Sequence, residues 1–158
     1  MISDLEFLRL AAVYGVSYSQ DKSTQNGAVL VRNGDVLVMA ANRFSPGSPI
    51  RHDRPEKYKV IEHAERGAIY AAARDGHRTL GARLYCPWFA CPDCARAIVA
   101  CGIREVVGSV VTVDATPERW RPLIRDGEAI LRDGGVSIRW LAGRLGVPIL
   151  FDGRVLEL

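Results

Sequence analysis

The sequence predicts an α/β fold, a three-layer α/β/α sandwich with a central mixed five-stranded sheet and a C-terminal β-hairpin extension. Three observations carry this. Helical and strand patterns alternate along most of the chain. Asn33-Gly34 sits between two runs rich in Val and Leu, a strong signal for an antiparallel hairpin. Between residues 82 and 141 each strand pattern is separated from the next by a helical one, as right-handed parallel crossovers require. At 158 residues one domain is expected over 1–158, with its core at about 3–140 and the extension at 141–158.

The elements follow in order. Leu5, Leu8, Ala12 and Val16 form a helical stripe over residues 3 to 18, with Ser3 or Asp4 as the cap. GAVLVRNGDVLVMAAN is the first hairpin. From Asn42 to about Lys59, Pro, Gly, Ser and charge mark a long surface loop, a length that compact domains usually keep for function. A helix over 63–74 ends at Asp75-Gly76. A strand over 82–86 leads past Trp88 and Phe89 to a helix over 92–100, whose Pro92 fits the first turn. REVVGSVV reads as a strand, residues 116–132 as one helix, VSIRWL as a strand, and VPILFDGRVLEL as a hairpin around Asp152-Gly153.

Composition narrows the function. Apolar residues make up 48% and charged residues 25%, an ordinary globular balance. The net charge of +3 comes from scattered arginines, which suits a small phosphorylated substrate and gives no concentrated nucleic-acid face, so nucleic acid is not an expected partner. No apolar run approaches the length of a membrane span, and the first residues lack the order of a signal peptide. A cytoplasmic protein without a membrane partner is expected. Its four cysteines would then stay reduced, and Cys91-x-x-Cys94 reads as a metal or redox site rather than a disulfide.

The chemistry gathers at two helix starts. Cys91 and Cys94 are three apart, so both sulfurs project to one side of a first turn where the helix dipole favours thiolate. Two thiolates and an imidazole from His63 suit Zn²⁺. Three protein donors leave a fourth position for water, and Glu65, two residues beyond His63, is placed to serve as the proton carrier. Other readings exist for each residue. Cys86 could close a structural zinc site, or the cysteine pair could be redox-active. Glu65 could simply complement the helix dipole, Asn42 could end a strand in a turn, and Trp88 and Phe89 could be core. Cys101 reads as a buried core thiol.

His63-Ala64-Glu65 and Cys91-Pro92-Asp93-Cys94 match the H-x-E and P-C-x-x-C signature of zinc nucleobase deaminases, with Ala90 replacing the first proline. KSTQNGAVLV, Asn42, EHAERGAIYAAAR and CPDCARAIVACGIREVV extend the likeness, and the chain resembles deoxycytidylate (dCMP) deaminases over roughly residues 5 to 139. The resemblance implies a cytidine deaminase-like fold in a homo-oligomer. It implies zinc on His63, Cys91 and Cys94, with Glu65 as the catalytic proton shuttle. Asn42 and the Ala64 backbone would bind substrate, and Trp88 and Phe89 would line the pyrimidine slot. The implied reaction is hydrolytic loss of ammonia from a cytosine nucleotide, dCMP to dUMP. Cytidine or CMP, a modified cytosine nucleotide, guanine or tRNA adenosine are the alternative substrates, and a non-catalytic zinc module is the alternative class. Two departures stand out: Ala40-Ala41-Asn42-Arg43 where the family has Gly-Tyr-Asn-Gly, and Gly67 where it has Asn. Arg43, Arg51, Arg54, Lys57 and Lys59 are the cations available for a phosphate in loop 42–59.

Overall fold

The computed structural model describes residues 2–158. Helix α1 (Asp4–Tyr18) begins at Ser3, whose hydroxyl accepts from the Glu6 amide while the Glu6 carboxylate accepts from the Ser3 amide, a reciprocal cap. Strands β1 (Gly27–Arg32) and β2 (Asp35–Ala41) form the expected hairpin. Asn33 and Gly34 take φ of 55° and 90°, the double left-handed turn that suits the twist of two strands. Loop 42–59 departs from expectation. It carries a short ladder, β3 (Arg43–Phe44) on β4 (Ile61–Glu62), and one helical turn, α2 (Lys57–Val60).

Next come α3 (Ala64–Asp75), β5 (Arg83–Tyr85), α4 (Pro92–Ala100) and β6 (Glu105–Ser109). The strand expected over REVVGSVV stops early. Ser109 caps a short helix, α5 (Val110–Asp114), by accepting from the Val111 amide, and this local bond overrides the β-propensity of the valines. The single helix expected from 116 is also divided. A 3₁₀ turn (Glu118–Trp120) precedes α6 (Arg121–Asp133). Strand β7 (Ser137–Leu141) and the hairpin β8 (Pro148–Phe151) and β9 (Arg154–Glu157) finish the chain.

The sheet is five-stranded and mixed, in the order β2-β1-β5-β6-β7. Strand β1 is antiparallel to both β2 and β5, whereas β5, β6 and β7 run parallel. Side-chain alternation sorts the core into two halves. Leu30, Leu84 and Val106 face a cluster with Ala68 of α3, Ile98 of α4 and Leu131 of α6. Val29, Tyr85 and Val107 face Phe7 and Leu8 of α1 together with Ile149 and Phe151 of the extension. The C-terminal hairpin therefore shares the α1 layer. A Cβ on Gly27 would lie 2.1 Å from the Ala11 carbonyl oxygen, so only glycine lets α1 rest directly on the start of β1. Cys101, expected in the core, is half-buried at the C-terminal cap of α4.

Candidate metal centre and its cavity

Helices α3 and α4 begin at one place. His63 and Cys91 are the extended residues just before them, with ψ of 151° and 168°, and Cys94 lies in the first turn of α4 behind Pro92. His63 Nδ1 stands 3.5 Å from Cys91 Sγ and 3.7 Å from Cys94 Sγ. Tetrahedral zinc with ordinary bonds to nitrogen and sulfur would separate such donors by about 3.5 Å. Among the described residues these three form a donor group whose ligand atoms all lie within 4.8 Å, and no fourth histidine, cysteine or carboxylate joins it. The residues fit zinc with one position left open.

The two thiols compete for a proton. A hydrogen bond from Cys94 holds the Cys91 thiol well below its ordinary range, while the same contact and burial push Cys94 up. A dication removes that conflict by taking both as thiolates. Cys86 is fully buried and stands apart from the group. Its sulfur accepts from Asn26 Nδ2 at 3.1 Å, and desolvation pushes its thiol well above the ordinary range.

Glu65 lies in the first turn of α3, 2% exposed, and its Oε2 has no hydrogen-bond partner. Burial pushes the carboxyl up to about 7, with His63 opposing the rise. A buried carboxylate oxygen left free requires a partner that the protein itself does not supply. It borders a cavity of about 480 Å³ that also reaches His63, Cys91, Asn42, Trp88 and Phe89. Backbone contact holds this arrangement from behind: a Cβ on Gly127 of α6 would fall 2.1 Å from the Ala90 carbonyl oxygen.

The remaining candidates are brought to the cavity in different ways. Asn42 is 5% exposed, and its amide is already engaged. Oδ1 accepts from the Ala64 amide at 3.0 Å, and Nδ2 donates to the Thr24 carbonyl at 3.2 Å. It therefore caps α3 beside the metal donors, and the Ala64 amide is spent on it. Trp88 donates through Nε1 to Thr116 Oγ1 at 3.0 Å and meets Phe151 edge-on at 4.8 Å. Phe89 packs on Trp140 at 4.9 Å. Each of the two is thus both packing and cavity wall. At Gly67, a departure from the family pattern, a Cβ would stand 3.3 Å from the Ala40 Cβ, a tight contact that a shift of a few tenths of an ångström would relieve.

Of the five cations in loop 42–59, Arg54 and Lys57 reach the cavity. Lys57 is buried against Asp21 at 2.8 Å and Ser23 at 2.8 Å, and Arg51 and Lys59 pair with Glu56. Sequence reasoning missed Asn26, Asp21, Trp120 and Asp152, all of which line the cavity. Asn26 carried a signal, a polar amide directly before the apolar run of β1. The others depend on tertiary approach of segments far apart in the chain.

A doubly covered mixed sheet with two cysteine sulfurs, an imidazole and a free buried carboxylate at paired helix starts defines a zinc-dependent deaminase class of site. The model of the family described as "Cytidine and deoxycytidylate deaminase zinc-binding region" matches residues 1–110, and the chain belongs to that family. The deaminase in the luxG 3′ region of Aliivibrio fischeri is 33% identical over 138 residues, covering 85% of this chain and 90% of that protein. The deoxycytidylate deaminase of Enterobacteria phage T2 is 38% identical over 76 residues, which is 48% of this chain and 36% of the phage enzyme. The chain thus aligns with about a third of the phage enzyme's length. In fold it is similar to the dCMP deaminase from the cyanophage S-TIM5 in complex with dCMP and dUMP, with a TM-score of 0.73, 23% identity, and coverage of 89% and 99% of the two chains. Among the described residues no helix is long and apolar enough to cross a membrane.

Proposed function

We propose that this chain catalyses the hydrolytic deamination of dCMP to dUMP and ammonia. One observation carries the reading: the free Glu65 carboxylate oxygen borders the same cavity as His63 and Cys91, two of the three grouped donors that Cys94 completes from behind. The names of the phage relatives and the ligands of the cyanophage structure support dCMP as substrate. So does Arg54 at the cavity rim, a cation suited to a phosphate.

When bound, zinc on His63, Cys91 and Cys94 supplies a Lewis acid that makes water more acidic. Trp88 and Phe89 flank the base and keep bulk water from it. Asn42 holds the start of α3 through the Ala64 amide, which fixes the positions of His63 and Glu65. Glu65 accepts a proton from the attacking water and delivers it to N3 of the ring as oxygen bonds to C4. It then carries the second proton of that water to the exocyclic amine. The C4–N bond breaks, ammonia leaves, and N3 keeps its hydrogen, so the atoms of cytosine and water are all accounted for.

The test is ammonia release on a panel of dCMP, dCTP, deoxycytidine, cytidine, guanine and 5-substituted cytosine nucleotides, with zinc measured on the same preparation. The highest kcat/KM is expected for dCMP. Bound zinc with no ammonia from any aminated base would make the chain a zinc-binding module, and preference for guanine would reassign the substrate. We further propose action in the cytoplasm, where both thiolate donors stay reduced, and assembly as a homo-oligomer. Exposed Val36 and Met39 on the edge strand β2 support the assembly. Light scattering that finds only a 17.4 kDa species would refute it.

A further inference from the structure

The family match ends at residue 110, yet the tip of the C-terminal hairpin enters the cavity wall. Asp152 and Gly153 form the turn, with φ of 51° and 80°. The tip is fastened to the segment ahead of β1. Gly153 N–H donates to the Ser23 carbonyl at 2.8 Å, and Leu150 N–H to Gln25 Oε1 at 2.8 Å. An Asp-Gly turn alone would account for the residue type. It does not account for where the carboxylate goes. Asp152 Oδ1 accepts from Arg54 at 3.3 Å, and its Oδ2 accepts from Arg119. These guanidinium groups lie over aromatic rings, Arg54 at 5.8 Å and Arg119 at 5.6 Å from the Trp120 centroid. Three segments distant in sequence therefore meet on one carboxylate.

The other lysine and arginine side chains lining the cavity are already paired. Lys57 is neutralised by Asp21, and Arg66 by Glu62 and Asp93. Arg54 lines the cavity and Arg119 the adjoining pocket across Asp152, both half-exposed, with Asp152 as their shared partner among the described residues. These two cations and one anion carry a net charge of +1 at the hairpin tip beside the cavity. We propose that Asp152 is the specificity-determining residue of this cavity, an internal counter-ion that holds Arg54 and Arg119 and lowers their preference for the longer, more highly charged phosphate tails. The attraction between rim and tail scales with the product of their charges. Removing the Asp152 charge therefore helps a triphosphate more than a monophosphate. A purely structural role would move all tails alike.

This inference rests on the reading of the cavity as a nucleotide site, and its test uses probes without a base. Inorganic phosphate, pyrophosphate and tripolyphosphate are titrated by calorimetry into the zinc-loaded protein, its Asp152→Asn variant and its Arg119→Gln variant. Asparagine suits the same turn, so the backbone is preserved. Asp152→Asn is expected to tighten phosphate about threefold and tripolyphosphate about tenfold, the size of one unit charge acting across several ångströms of screened solvent. Arg119→Gln is expected to weaken tripolyphosphate more than phosphate, and the dCTP to dCMP ratio of kcat/KM should rise at least threefold in Asp152→Asn. An unchanged tripolyphosphate to phosphate ratio in Asp152→Asn, or equal weakening of every anion, overturns the proposal. Should that variant fail to fold, the Arg119→Gln ratio decides. A ratio that moves while dCMP is not deaminated defeats only the substrate reading; dCMP turnover with an unmoved ratio defeats only this one.

Discussion

Replacing Glu65 with glutamine is expected to leave about one zinc per chain while lowering kcat by roughly 10²–10⁴-fold, the range lost when a positioned proton carrier is removed. Glutamine has nearly the same shape and can fill the same buried place, so packing is preserved. It cannot accept a proton and release it again. The metal should stay, because Glu65 is not a member of the donor group that His63, Cys91 and Cys94 form. Neutral glutamine also lifts the cost of a buried carboxylate whose Oε2 is unpartnered, so thermal stability should hold or rise. A variant that is slow, zinc-loaded and no less stable would separate proton transfer from folding. Near-normal turnover would remove Glu65 from the reaction, and loss of zinc would make it a ligand.

Much of this architecture was legible in the sequence because its signals are local. Asn33-Gly34 and Asp152-Gly153 both adopt the left-handed turns that their residue types favour. Pro92 and Gly76 bracket their helices for steric reasons that need no tertiary context. The donor set was legible too, since spacing within one helical turn decides where two sulfurs point. The misreadings share a cause. Val110 and Val111 look like strand until Ser109 caps a helix, and loop 42–59 looks unstructured until Phe44 pairs with Ile61. Asp152 looks like a turn residue until Arg54 and Arg119 arrive from elsewhere in the chain. Spacing reveals chemistry within an element, whereas the cavity rim is assembled from elements that only the fold brings together.

Two cysteine substitutions should have opposite consequences for the metal. Cys94→Ala is expected to take zinc from about one per chain to near zero and to abolish turnover, since two donors cannot hold the ion against the surrounding water. It should also lower the melting temperature of the zinc-loaded protein, because an ion bound only by the folded chain stabilises it by mass action. A chelator should reproduce that drop in the unmodified protein and add nothing in the variant. Cys86→Ala should keep its zinc. Cys86 lies on the same sheet face as Cys94, in the same core cluster, and a C-x-x-C pair with a third cysteine nearby could close a structural site. Its sulfur instead accepts from Asn26, and burial holds it as a neutral thiol, a poor ligand. The alanine variant would lose about 1–2 kcal/mol through a small cavity and an unpaired Asn26 amide, with metal content unchanged. Zinc loss in Cys86→Ala would mean a closed four-donor site with no place for water, and the deamination chemistry assigned to Glu65 would have nothing to act on.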